Sequence, residues 1–160
     1  MITDESVQKA CSEVDEYSDE KMVGEFDRFF QQQPAICDFV VELTQESGPK
    51  IQELSLFLSY MVFRAIEMDE SDVSSVTAEA IEASYHQSES WMEHISQAQS
   101  SELPSAIAES FQQETEPHLL RYVISELNQP LEDGKALDDE EKGEVFFVLK
   151  TVISSLRKES

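Results

Sequence analysis

Two prolines set the tightest constraint on how this chain can fold. Pro34 opens the apolar stretch Ile36, Cys37, Phe39, Val40 and Val41, and Pro117 opens Leu119, Leu120, Tyr122, Val123 and Ile124. Each is preceded by a Phe-Gln-Gln run, at Phe30 and Phe111, and followed by a second apolar stretch, 54–66 and 145–156. Proline is at home in the first turn of a helix, where its missing N–H has no partner to lose. At an offset of 83, Pro34 matches Pro117, Phe39 matches Tyr122 and Val40 matches Val123. At an offset of 90, Leu56 matches Phe146, Val62 matches Val152 and Ile66 matches Leu156. The change of offset falls in the connecting loop, where insertions are tolerated. The pattern predicts an internal duplication. Two units of a short helix, a Pro-started helix and a long helix, over about 22–68 and 103–158, flank a central helix at about 72–98.

Composition gives the fold class. Only four Gly and five Pro leave little material for tight turns, while Glu, Gln, Leu, Ala and Ser favour helices. A length of 160 residues, 40% hydrophobic, fits one domain around one core. The expectation is an all-α, single-domain bundle of about seven or eight helices over 1–160, similar in layout to helical-repeat proteins. No motif ties it to a particular repeat family.

Along the chain, Val7, Cys11 and Val14 form a narrow stripe on a first helix, and Ser18-Asp19-Glu20-Lys21 starts a second carrying Met22, Val23, Phe26, Phe29 and Phe30. The stretch from Ile36 to Leu43 is apolar almost all round and ends at Glu46-Ser47-Gly48-Pro49. The next helix, about 50–68, is the most hydrophobic. The central helix, beginning near Val73, is expected to turn Val73, Val76, Ala80, Ala83, Ser84, Trp91 and Ile95 inward. A short helix with Ile107, Ala108 and Phe111 follows, and Asp138 or Asp139 caps the last helix.

Charge excludes several functions. There are 34 acids against 11 Lys and Arg, a net charge of −23 and a pI near 4.2. Phosphate backbones and anionic bilayers both require clustered bases, so direct nucleic-acid binding and membrane association are not expected. The longest apolar run is too short for a bilayer core. No basic start precedes an apolar run at the N-terminus, and two cysteines do not make a disulfide scaffold, so a cytoplasmic protein with reduced thiols is expected.

The acidity is uneven. Residues 65–120 hold twelve acids and no Lys or Arg, together with His86, His94 and His118. On the central helix Glu79, Glu82, His86, Glu89 and Glu93 follow a 3, 4, 3, 4 spacing and share one face. A solvated acidic face explains this most simply. Carboxylate and imidazole also suit a divalent metal, and Glu82, His86, Glu89 and Glu93 are the candidate ligands. The Glu-x-x-His motif of di-iron bundles and His-Glu-x-x-His are both absent.

Other chemistry is weaker. Cys37 reads as core, Cys11 lacks an activating base, and Ser88 and Ser90 near His86 and His94 lack a nucleophile elbow. Arg64 and Arg121 are expected to pair with carboxylates or reach the surface, Trp91 to anchor the central helix, and His118 to lie at the surface. Without a catalytic constellation, the first functional expectation is a non-enzymatic interaction or scaffolding protein that binds a partner with a basic surface. A metal-binding protein or metal-dependent enzyme, with no other cofactor, is the alternative, and an acidic nucleic-acid mimic a third. The wholly apolar helices also suggest a homodimer.

Overall fold

A computed structural model describes residues 2–70, 73–97, 116–130 and 137–157, with backbone only for 94–97. Seven helices occur among them: α1 (Asp4–Asp15), α2 (Asp19–Gln32), α3 (Pro34–Thr44), α4 (Pro49–Asp69), α5 (Ala78–Gln97), α6 (Pro117–Leu127) and α7 (Asp139–Arg157). The described residues contain no strand, so the chain is all-helical there. The expected helix with Ile107, Ala108 and Phe111, the restart at Pro104, the loop at Gly134 and the side chains of His94 and Ile95 lie outside the described residues.

The helix starts follow local chemistry. Pro34, Pro49 and Pro117 occupy first-turn positions. The Thr3 hydroxyl accepts the Ser6 N–H and the Ser18 hydroxyl accepts the Lys21 N–H, each relieving one unpaired donor of the first turn. Asp138 and Glu141 form a reciprocal capping box, with Glu141 N–H on Asp138 at 2.8 Å and Asp138 N–H on Glu141 at 3.0 Å. The turn before α4 uses Gly48 at φ 96, a backbone state that penalises any Cβ.

The start of α5 departs from the expected position. Residues 73–77 are not helical, and the side chain of Gln33 binds two of their backbone groups. The Gln33 amide accepts the Val76 N–H and donates to the Ser74 carbonyl, both at 2.9 Å. Thr77 then caps the helix through the Ala80 N–H. The inner face of α5 also differs from expectation. Ser84 is buried as expected, but so are Ile81 and Ser88, whereas Ala80, Ala83 and Trp91 are half-buried and Val73 and Val76 precede the helix.

Six helices close a ring, each packing on the next in the order α1, α4, α3, α5, α7, α6 and back to α1. The two long helices α4 and α7 also meet across its middle. Leu58, Val62, Phe63 and Ile66 of α4 and Val145, Val148, Leu149 and Val152 of α7 supply much of the core. The all-round apolarity of α4 follows from having α1, α3 and α7 around it. Only one edge of α2 is committed: Phe29 is buried against Tyr60 and Phe63, while Val23 and Phe30 of the same expected stripe stay exposed.

A charged clamp ties α1, α2 and α4. Arg28 pairs with Glu25 at 2.9 Å and Glu67 at 2.7 Å, and Arg64 pairs with Glu13 at 2.6 Å and Glu67 at 3.2 Å. The Tyr60 hydroxyl donates to Glu25 and the Tyr17 hydroxyl to Glu13, both at 2.7 Å. Arg28 foremost holds the Glu25 carboxyl down at about 2. Burial foremost pushes the Tyr17 phenol up to about 12. Five charges so interlocked resist removal of any one of them, because each would strand a partly buried neighbour.

Candidate functional site

The candidate site is a groove of about 580 Å³ between α3 and α5. Its apolar lining is Ala35, Phe39, Leu43, Ala78, Ile81 and Tyr85, and its charged lining is Asp38, Glu42 and Glu82. Local helix geometry explains the arrangement. Positions 35, 38, 39, 42 and 43 follow 3-4 spacing, so they form one face of α3; 78, 81, 82 and 85 do the same on α5. The two helices meet through an edge-on contact of Phe39 with Tyr85 at 6.2 Å between ring centres. Ile81 is buried at the floor, whereas Asp38, Glu42 and Glu82 are exposed at the rim.

A second recess of about 410 Å³ lies beside the first. Leu43 lines both, and Met92, Phe147, Val148, Gly143, Asp139, Glu140 and Glu144 complete the second. Tyr85 also packs edge-on against Phe147 at 5.4 Å. Both recesses thus combine apolar walls with carboxylates, and neither lining contains Lys or Arg. Carboxylates so placed attract cationic groups, while the apolar walls reward burial of aliphatic or aromatic surface.

The expected metal ligands sit next to this groove. His86 lies between two carboxylates, with Nδ1 3.1 Å from Glu89 and Nε2 3.8 Å from Glu82. All three side chains are well exposed, at 65%, 49% and 74%, and Glu93 is exposed further along the helix. Among the described residues no group of three or more His, Cys, Asp and Glu side chains could hold a metal ion. Glu82 alone of the four lines the groove, which it shares with Asp38 and Glu42 of α3, a grouping that spacing along one helix could not reveal.

The remaining candidates have structural surroundings. Ser88 is buried and its hydroxyl accepts from Thr151 at 2.9 Å, joining α5 to α7. Cys37 is buried, and desolvation pushes its thiol up to about 12, unsuited to nucleophilic work at neutral pH. Cys11 is half-buried, and desolvation foremost raises its pKa. Trp91 packs on Phe146 at 5.5 Å with the Lys150 ammonium 5.2 Å from its ring, consistent with an anchor. Arg121 is exposed, and His118 is half-buried, 3.0 Å from Asp4.

Among the described residues no helix is long and apolar enough to cross a membrane. No protein-family model, curated protein or solved structure matches the chain.

Proposed function

We propose that this protein is a non-enzymatic interaction module whose α3/α5 groove holds a basic amphipathic helix of a partner protein. The observation that carries the reading is the pairing of an apolar floor, Ile81, Phe39 and Leu43, with a rim of three carboxylates. An amphipathic helix presents aliphatic anchors at 3-4 spacing to such a floor and flanking Lys or Arg to such a rim. The net charge of −23 would also speed encounter with a basic partner. Two free cysteines accord with a cytoplasmic setting.

The test uses a designed helical peptide of Leu and Lys, with a scrambled, non-amphipathic control, and fluorescence anisotropy at about 0.15 M salt. The amphipathic peptide should bind more tightly than its control. Replacing Asp38→Asn, Glu42→Gln and Glu82→Gln together should weaken it about tenfold. Equal affinity for the two peptides would reject the reading, because attraction by bulk charge alone does not distinguish them.

The groove's frame is proposed to be an internal duplication, of about 2–69 and 76–157. Gln33 and Glu116 support it. They stand before Pro34 and Pro117 with nearly the same backbone, φ −129 ψ 57 and φ −130 ψ 66. Both are buried, and both side chains grip a non-helical segment: Gln33 accepts the Val76 N–H, and Glu116 accepts the Ile2 N–H at 2.8 Å. A helix-capping threonine follows each gripped residue, Thr77 and Thr3. At this offset of 74, α1 becomes the counterpart of α5, so neither is an addition to a three-helix unit. The packing exchanges likewise, with α1 against α4 and α6 and α5 against α7 and α3.

A further inference from the structure

The geometry points to Ala35 and Ala78 as the residues that hold the groove open, and to the α1/α6 face as its closed counterpart. The inference rests on the docking reading above and adds what decides which of two related faces can take a partner. Its starting point is a matched pair of contacts. Across the groove, Phe39 of α3 meets Tyr85 of α5. At the offsets of 83 and 74, these positions correspond to Tyr122 of α6 and Cys11 of α1, both half-buried on helices that pack together. The two faces therefore share one register.

One turn back along α3 and two turns back along α5, that register makes Ala35 the counterpart of His118 and Ala78 the counterpart of Asp4. On the α1/α6 face His118 and Asp4 reach each other at 3.0 Å and span the gap between helices. On the α3/α5 face both positions are alanines that line the groove, and a methyl group cannot span it. The acids of the open face have no acidic counterparts: Asp38 corresponds to Arg121, Glu42 to Ser125 and Glu82 to Gln8. The open face thus combines small wall residues with carboxylates at 38, 42 and 82, whereas its counterpart has the close His118–Asp4 contact and no carboxylate at the positions matching those three. A basic helix is the occupant that this difference in charge selects.

Two double variants test the inference. Ala35→His with Ala78→Asp should close the groove and weaken the Leu/Lys peptide at least about tenfold, while its scrambled control binds as before. Net charge hardly changes, so a weaker field cannot account for the loss. Peptide affinity within about twofold of wild type, in a variant with unchanged circular dichroism, would overturn it.

The reverse variant, Asp4→Ala with His118→Ala, reads out without any peptide. It should open the α1/α6 face and raise the rate at which maleimide labels Cys11 severalfold, with buried Cys37 as internal reference. The conservative pair Asp4→Asn with His118→Gln refills the space and should restore the slow rate. An unchanged rate in the alanine pair, or equal acceleration in both pairs, would sink the inference. If wild type fails to prefer the amphipathic peptide while the labelling arm succeeds, the docking reading fails and the relation between the faces stands.

Discussion

At the scale of single residues, two side chains carry more of the fold than their types suggest. Glu25 is 12% exposed and lies between Arg28 and the Tyr60 hydroxyl. Its folded pKa, about 2, is below the ordinary 4.5, so its ionised form favours the native state. That contribution is complete above about 4.5 and is lost as the pH falls toward about 2. Glu25→Gln should cost of the order of 2 kcal/mol at neutral pH, and urea unfolding should show the difference from wild type shrinking across that acid window. Glu126 has the opposite sign: burial foremost, then Asp15, raises its pKa, so its contribution is present at low pH and lost as it ionises. Comparing variant with wild type cancels it. Gln33 is the second case. Gln33→Leu keeps the bulk but strands the Val76 N–H and Ser74 carbonyl, at an expected cost of about 1–3 kcal/mol by the same measurement.

At the scale of helices and turns, three glycines separate backbone effects from packing. Gly24 lies within α2 and Gly143 within α7, and a Cβ at either would meet nothing within 4 Å. Gly24→Ala and Gly143→Ala should each stabilise by about 0.5–1 kcal/mol, since alanine loses less backbone freedom in a helix. Gly48 also has open space but sits at φ 96, so Gly48→Ala should destabilise by about 1–3 kcal/mol. Thermal melts of the three variants check both signs. The same distinction between local and distant causes explains what the sequence made legible. Pro34 and Pro117 at helix starts, the caps at Ser18 and Asp138, the break at Gly48-Pro49 and the apolar α4 all obey rules spanning four residues or fewer. The start of α5 did not, because Gln33 grips residues more than forty positions away. The exposure of Val23 and Phe30 depends on which neighbour covers α2, which their spacing does not encode. The groove was half legible. Glu82 stood out on its helix, but Asp38, Glu42 and the facing alanines become a site only when α3 meets α5.

At the scale of the whole molecule, one field acts on two equilibria with opposite sign. With 34 acids against 11 Lys and Arg, most carboxylates have no basic partner in number, and folding crowds them together. Screening lengths fall from about 30 Å in 0.01 M salt to about 10 Å in 0.1 M. Salt in that range should relieve long-range repulsion more than it weakens the close pairs of Arg28 and Arg64, which are 29% and 24% exposed and 2.6–3.2 Å from their partners. The melting temperature should therefore rise with sodium chloride, by a few degrees between about 0.01 and 0.3 M. Docking of a basic helix responds in reverse, because the attraction that draws it to Asp38, Glu42 and Glu82 is screened by the same ions. Its affinity should fall over that interval, mainly through a slower association rate, while the apolar floor limits the loss. Calorimetric melts and stopped-flow peptide binding in one salt series measure both slopes. A melting temperature that falls with salt would mean that ion pairs outweigh repulsion in this fold. A peptide association rate indifferent to salt would remove the carboxylate rim from the recognition step.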